Sequence, residues 1–168
     1  IPSAGQLSNR NLIINGAMKV AQRGITSTSN YYQTLDRWSI GQSGLDEAPT
    51  QAQVSLTSGD TGPWAKGFRK ALQVTNGNQT SGAGAADILQ ILYKMEAQDI
   101  ANSGWDYTSA SSYITYSFWV KSSIAQTFNG KFVTVDGTGQ NYHFQTGSLS
   151  ANTWTYVTKT LPGNSNIT

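Results

Sequence analysis

The sequence predicts an all-β protein whose strands form an antiparallel sandwich or barrel. Segments rich in β-branched and aromatic residues recur at intervals of about ten residues, which is the spacing typical of such folds. Turns that contain glycine, such as Asn129-Gly130 and Pro162-Gly163, separate these segments. The 168 residues suffice for one domain of ordinary size. We place this domain at residues 11–168, after a polar arm or linker at residues 1–10.

The first half of the chain contains one tight turn and three strand-like segments. Residues 11–20 form two short apolar runs around Asn15-Gly16, a pair that tolerates the positive φ of a tight turn. Residues 31–40 and 68–75 alternate well enough to predict strands, and residues 51–57 alternate regularly. In this last strand we expect the apolar side chains to point inward and the polar ones outward: inward Ala52, Val54 and Leu56, outward Gln51, Gln53 and Ser55.

The second half contains one ambiguous segment and the clearest strand. Residues 87–100 fit both a helical stripe and a strand face, and the neighbouring strands favour a strand to about residue 97 followed by a single helical turn near residues 99–103. Residues 113–121, with the sequence YITYSFWVK, predict a strand most clearly, so the fold has at most one short helix. Three more strand-like segments follow, at residues 128–135, 141–146 and 153–161. Three tryptophans that fall on strands are expected in the core: Trp38, Trp119 and Trp154.

The composition argues against an enzyme. Charged residues make up only 12% of the chain, which has no cysteine, nine acidic residues and a single histidine, His143. These are few groups for acid–base or metal chemistry, so we expect no catalytic residue, no metal site and no cofactor. His143 lies between Tyr142 and Phe144 without a nucleophile motif and is interpreted as an ordinary sheet histidine. Glu96 and Asp99 are the acids considered for a glycan-cleaving enzyme, which is the least favoured interpretation.

The distribution of charged and apolar residues argues against a nucleic-acid partner and against a membrane span, and it suggests one structural charge pair. The 11 basic residues are scattered and never form a run, so a stripe for the phosphates of a nucleic acid is not supported. No apolar stretch approaches the roughly 20 residues that a membrane span needs. We therefore expect no nucleic-acid partner and no membrane insertion. The adjacent Asp36 and Arg37 are interpreted as a charge pair that ties the entry strand to the sheet.

Three parts of the chain resemble a domain that is common in tail-fibre and other virion proteins of tailed bacteriophages. The most specific part is NLIINGAMKVAQRG at residues 11–24 together with LDRW at residues 35–38, which resembles the opening of that domain. Residues 91–100 and the sequence ITYSFWVKSS at residues 114–123 resemble its centre. Residues 152–163 resemble a strand late in the domain.

The resemblance, which extends over residues 9–163, implies a carbohydrate-binding-module-like jelly-roll β-sandwich on the outside of a virus particle. Such domains usually continue beyond the Pro-Gly turn, so we expect the domain at residues 11–168 to be incomplete at its C-terminal end. The implied function is that of a structural component of a bacteriophage virion, in a tail fibre or similar appendage that contributes to assembly and host attachment. The implied location is extracellular, and the implied partners are other virion proteins, further copies of the chain in a homotrimer, and a host surface glycan.

The polar arm at residues 1–10 is the candidate assembly contact. It is too polar to bury an apolar surface of its own, so a neighbouring molecule would have to order it. Within the arm we expect Ile1, Leu7 and Arg10 at that contact. The low charge of the chain leaves few like-charge barriers to self-association, and closed symmetric assembly is the usual outcome for complementary patches.

The alternative function is that of a carbohydrate-binding module of a secreted bacterial protein. Aromatic faces pack on the C–H groups of sugars, while polar side chains form hydrogen bonds with the hydroxyls. Trp64, Trp105 and Tyr107 fall in loop-like segments, and Asn102 and Asp106 lie nearby in the sequence. These five are the candidate carbohydrate-binding residues. A packing or interface role is the more frequent one for loop aromatics and stays open for them.

Overall fold

A computed structural model describes residues 11–135 and 137–167, and antiparallel β-strands dominate it. Each pair of neighbouring strands runs antiparallel. The strands of the described part are β1 (Thr26–Ser27), β2 (Trp38–Ser43), β3 (Thr50–Ser55), β4 (Lys70–Thr75), β5 (Ile88–Tyr93), β6 (Tyr113–Val120), β7 (Asn129–Val133), β8 (Asn141–Gln145) and β9 (Thr155–Pro162). One helix, α1 (Ala97–Asn102), and a 3-10 turn at Trp64–Lys66 complete its regular structure. The predicted antiparallel all-β fold with at most one short helix is confirmed, and the jelly-roll order of its strands stays a prediction.

The chain divides into two compact units. The first unit holds Asn11–Gly59 and Trp64–Ala97, and the second holds Asp60–Pro63 and residues 98–167. Among the residues described, no helix has both the length and the apolar character to cross a membrane. The expected assembly contact lies outside the described residues, with all three of its candidates, Ile1, Leu7 and Arg10.

The first unit has two sheets, in the strand orders β1-β3-β4 and β2-β5. Strand β2 supplies two buried side chains, Trp38 and Ile40, and the loop before it supplies the fully buried Leu35. The Trp38 ring lies 5.0 Å from the ring of Tyr93, its partner on β5. The core position predicted for Trp38 is thus confirmed.

The strand predicted at residues 31–40 is wrong over most of its length, which is a loop. Only the last residues belong to β2, which begins at Trp38 and continues beyond the predicted end. Tyr31 and Ile40 form an isolated antiparallel bridge, in which the Tyr31 N–H donates to the Ile40 carbonyl at 2.7 Å. The chain between them folds back on itself, and Arg37, with φ of 73°, lies in the left-handed region just before β2. Alternation of polar and apolar residues arises here from a compact loop and not from a pleated strand.

The outward position expected for Gln51 and Gln53 on β3 is wrong. Gln51 is only 2% exposed, and Gln53 is half-buried. The Gln51 amide accepts a hydrogen bond from the Thr34 hydroxyl at 3.0 Å and donates one to the Ser29 carbonyl at 2.7 Å. Gln53 donates to the Met18 carbonyl at 2.7 Å. Because these bonds replace the ones that the amides would form with water, polar side chains are accommodated in the interior.

We expect Gln51→Leu to lower the free energy of unfolding by about 2 kcal/mol, since the Thr34 hydroxyl and the Ser29 carbonyl lose their partner. The matched control is Gln73→Leu on the neighbouring strand β4, where the side chain is exposed and the expected change is within about 0.5 kcal/mol. Urea denaturation followed by tryptophan fluorescence measures both. Equal effects of the two substitutions would contradict the structural role of the buried amide.

The second unit has two two-stranded sheets, β6-β9 and β7-β8, which an aromatic cluster joins. Tyr116 and Phe118 lie two residues apart on β6 and therefore share a face. The Tyr116 ring packs on Phe132 of β7 at 5.2 Å and on Phe144 of β8 at 6.3 Å, and Phe118 packs on Phe144 at 6.4 Å. Burial in this cluster raises the pKa of the Tyr116 phenol, which keeps it neutral in the interior.

The segment Asp60–Pro63 belongs to the second unit because it packs against two tryptophans. The Asp60 carboxylate accepts hydrogen bonds from Trp154 Nε1 and Lys121 Nζ, each at 2.9 Å. Gly62 lies so close to Trp119 that a Cβ at this glycine would come within 2.7 Å of the indole ring. Trp119 and Trp154 are half-buried, so the core position predicted for them is only partly met.

Candidate functional site

The opening motif at residues 11–24 is organised around Asn15. Asn15 has φ of 56°, in the left-handed region that asparagine tolerates, and lies in the predicted tight turn. Its Nδ2 donates to the carbonyls of Val20 and Asp36 at 2.9 and 3.0 Å, and its Oδ1 accepts from the Val20 N–H at 3.0 Å. A single side chain thus closes the turn and connects it to the second part of the motif at residues 35–38.

Two aromatic side chains complete this connection. The Tyr93 hydroxyl accepts from the Ile14 N–H at 2.7 Å and donates to the Leu12 carbonyl at 3.3 Å. Trp38 Nε1 donates to the Asn15 carbonyl at 3.3 Å. The opening segment is therefore held against the start of β2 and the end of β5 by side chains from both strands. These contacts give the motif a structural role within the first unit.

A polar cleft of about 460 Å³ lies in the first unit and includes Asp36, Arg37 and Glu96 in its lining. The expected pairing of Asp36 with Arg37 is wrong, because Arg37 forms its salt bridge with Glu96. The register of the sheet explains this partner, since Trp38 pairs with Tyr93 and brings the start of β2 beside the end of β5. The hydrogen bond to Glu96 raises the pKa of the Arg37 guanidinium above its ordinary value. Asp36 instead accepts a hydrogen bond from the backbone N–H of residue 22 at 3.1 Å.

Trp64, the first candidate for sugar binding, begins the 3-10 turn of the first unit. The Arg69 guanidinium lies 3.8 Å from the centre of a Trp64 ring. Arg69 Nη1 also donates to the carbonyls of Trp64 and Phe68 at 2.9 and 2.8 Å, which fixes the stacked position. One face of the indole is therefore covered by a cation, a contact worth about 0.5–1 kcal/mol at exposed sites.

The other two aromatic candidates, Trp105 and Tyr107, lie in a loop of the second unit. Both side chains are half-buried, and their rings meet edge to face with centroids 6.4 Å apart. Trp105 Nε1 donates to the Ser112 carbonyl at 3.4 Å. The loop is thus partly closed by its own aromatic pair, which is the packing role that the sequence left open.

The two polar candidates differ in how far they are engaged. Asn102 ends α1 and is exposed. Asp106 Oδ1 accepts from the backbone N–H and the hydroxyl of Thr108 at 3.2 and 2.8 Å, so this carboxylate holds its own loop. Four of the five candidates thus belong to one stretch of the second unit, and Trp64 belongs to the other unit. Their carbohydrate-binding role stays a prediction.

A depression of about 630 Å³, which we call the hairpin depression, lies in the second unit beside the β7–β8 hairpin. Its polar lining residues are Asn129, His143, Gln145 and Lys159, and within the described part of the chain no acidic side chain lines it. Asn129 and Gln145 face each other on the paired strands, and Gln145 Nε2 donates to Asn129 Oδ1 at 3.0 Å. His143 is exposed on β8, as expected for an ordinary sheet histidine.

Lys159 is the candidate that sequence reasoning missed. Along β9 the side chains alternate, so that Val157 and Leu161 are buried while Thr158 and Thr160 are exposed. Lys159 lies on the same face of β9 as these two buried residues and is itself half-buried. The sequence could have indicated Lys159, because the alternation of side chains along the strand places this charged residue on the inner face.

Among residues 11–135 and 137–167, no group of three or more His, Cys, Asp or Glu side chains is placed to hold a metal ion. Comparison of the chain with family models, with curated proteins and with solved structures finds no match.

Proposed function

We propose that this chain is a structural component of a bacteriophage virion, in a tail fibre or similar appendage on the exterior of the particle, where it contributes to assembly and host attachment. The proposal starts from the resemblance of residues 11–24 and 35–38 to a domain of virion proteins. The observation that carries it is that these two segments meet in one hydrogen-bonded substructure around Asn15. Because the two segments that carry the resemblance contact each other, they form one folded element and are not two unrelated short sequences.

The contacts of the charged side chains also support a structural protein. The salt bridge of Glu96 with Arg37 and the hydrogen bonds of Asp60 with Trp154 and Lys121 each join distant segments of one unit. Ion pairs of this kind hold loops in place. The proposed function is a non-enzymatic one.

Self-association is part of the proposal, with the homotrimer as the expected form. On β5 three apolar side chains are exposed, Ile88 at 48%, Leu89 at 37% and Ile91 at 54%. A run of exposed apolar residues on a strand favours contact with another chain. Other virion proteins are the further proposed partners, and a host surface glycan is the proposed target of attachment.

The test is to purify particles produced by the genome that encodes this chain and to label them with gold-conjugated antibodies against it. We expect the label on an external appendage and the chain in the particle band of a density gradient. Particles from a genome that lacks the coding segment are the control. The chain found only as a free protein in the culture medium would contradict the proposal and would support a secreted carbohydrate-binding module instead.

A further inference from the structure

We propose that the hairpin depression binds the carboxylate of an acidic saccharide. The inference rests on the proposed function, because it names the class of host glycan that attachment would use. The depression has a volume of about 630 Å³, which is the size of many ligand sites, and its lining combines one ammonium group with two side-chain amides and an imidazole. It is distinct from the loop aromatics considered above.

The position of Lys159 favours an anionic ligand. It lies on the same face of β9 as the buried Val157 and Leu161, and opposite Tyr116, whose ring belongs to the aromatic cluster. A half-buried lysine gains stability when another group compensates its charge. In the described part of the chain, Lys159 Nζ has neither a hydrogen bond nor a salt bridge, and no carboxylate lines the depression. An anionic ligand would supply the missing compensation.

A pair of side-chain amides at the depression favours a ligand with hydroxyl groups. The hydrogen bond from Gln145 Nε2 to Asn129 Oδ1 orients both side chains. It leaves the Asn129 amide nitrogen as a donor and the Gln145 amide oxygen as an acceptor, and both residues are exposed. Sugar hydroxyls both donate and accept hydrogen bonds, so an oriented donor–acceptor pair suits them better than it suits an anion alone.

The charged and polar groups of the depression favour a carboxylate over a phosphate. Cross-strand pairing places a second lysine, Lys131, beside His143 on the hairpin, but Lys131 does not line the depression. Phosphate sites typically use arginine forks or rows of backbone N–H groups, whereas here a single ammonium lies beside neutral amides. One ammonium matches the single charge of a carboxylate, and the amides match the hydroxyls of a uronic acid ring. A neutral sugar would leave Lys159 uncompensated.

A structural role for Lys159 makes a different prediction. A lysine that points inward on the edge of a sheet can prevent another strand from pairing there. In that case Lys159→Met would promote aggregation, and the wild-type chain would bind no saccharide. The saccharide proposal requires binding by the wild-type chain and its loss in a Lys159→Met variant that remains folded and of unchanged molecular mass.

The experiment is isothermal titration calorimetry of the full chain with an oligosaccharide that contains glucuronate. The same oligosaccharide with its carboxyl groups reduced to alcohols is the matched ligand control, and sodium phosphate is the second one. We expect binding to the acidic form that weakens at least tenfold on carboxyl reduction and that phosphate at equal concentration does not displace. Lys159→Met should weaken binding of the acidic form at least tenfold, and Asn129→Ala should weaken both oligosaccharide forms.

Lys66→Met is the control variant, since it removes the same charge from an exposed residue of the first unit. We expect its affinity to stay within twofold of the wild type. Circular dichroism checks that Lys159→Met keeps its strands, and Lys159→Gln replaces it if it does not. Equal affinity for acidic and reduced forms, displacement by phosphate, or no binding at all would overturn the inference. Presence of the chain in the particles is measured separately, so failure here leaves the proposed function standing.

Discussion

Gly163→Ala is expected to lower the free energy of unfolding by about 3 kcal/mol, at the upper end of the cost of overpacking. A Cβ at this position would lie 2.5, 2.6 and 2.7 Å from the backbone carbonyl oxygens of Tyr107, Ser109 and Asp106. These contacts are with backbone and not with movable side chains, so either the turn after β9 or the loop must shift. The Gly163 N–H also donates to the Ser112 carbonyl at 2.9 Å, which opposes such a shift.

Gly59→Ala is the matched control for this substitution. A Cβ at Gly59 would meet only the Thr57 hydroxyl, at 3.5 Å, which is an ordinary contact distance. We expect its effect on the free energy of unfolding to stay within about 0.5 kcal/mol. Urea denaturation of the two variants beside the wild type measures both values. If Gly163→Ala were as stable as Gly59→Ala, the close packing of the loop against the turn would be refuted.

The strands could be predicted where the side chains alternate between the two faces of a pleated strand. The segment YITYSFWVK predicts β6 almost to the residue, since its aromatic and β-branched side chains alternate between the two faces. The ambiguous stretch at residues 87–100 is confirmed as a strand followed by a helical turn, β5 and α1, although the strand ends at Tyr93 and not near residue 97. Periodicity alone did not decide this stretch, because a short apolar run satisfies both periods.

The long-range partners of polar residues could not be predicted. Gln51 belongs to a regular alternation that assigns it to the solvent side, yet Thr34 and Ser29 bond it in the interior. The partner of Arg37 is Glu96, 59 residues further along the chain, and not its neighbour in the sequence. Both arrangements depend on how strands pair and loops return, which local patterns do not encode.

The contacts of the candidate sugar-binding residues could not be predicted from the sequence either. A tryptophan in a loop is visible in the sequence, but the guanidinium of Arg69 that covers one face of Trp64 is not. In contrast, Lys159 was accessible to sequence reasoning, because it interrupts the inner face of β9 between Val157 and Leu161. The unusual position of Lys159 was therefore visible in the strand pattern, whereas the contacts of the loop aromatics were not.

Asn15→Ala is expected to lower the free energy of unfolding by about 3–4 kcal/mol, since three hydrogen bonds worth about 1 kcal/mol each are lost and alanine is strained by roughly 1 kcal/mol in the left-handed region. The bonds are those of the Asn15 side chain to the backbone of Val20 and Asp36, and the strain comes from its φ of 56°. Urea denaturation measures the loss. Asn15→Gly separates the two contributions, because glycine accepts this φ without strain but forms none of the bonds.

Asn152 offers a matched control for the Asn15 series, because it has the same φ of 56° and its side chain forms no hydrogen bond with the described residues. We expect Asn152→Ala to cost only the backbone strain, about 1 kcal/mol. The difference between the two alanine variants then measures the three hydrogen bonds by which the Asn15 side chain closes its own turn at Val20 and joins that turn to Asp36. If Asn15→Ala and Asn152→Ala destabilised the chain equally, Asn15 would not be the residue that unites the motif. The proposed virion role would then lose its structural support.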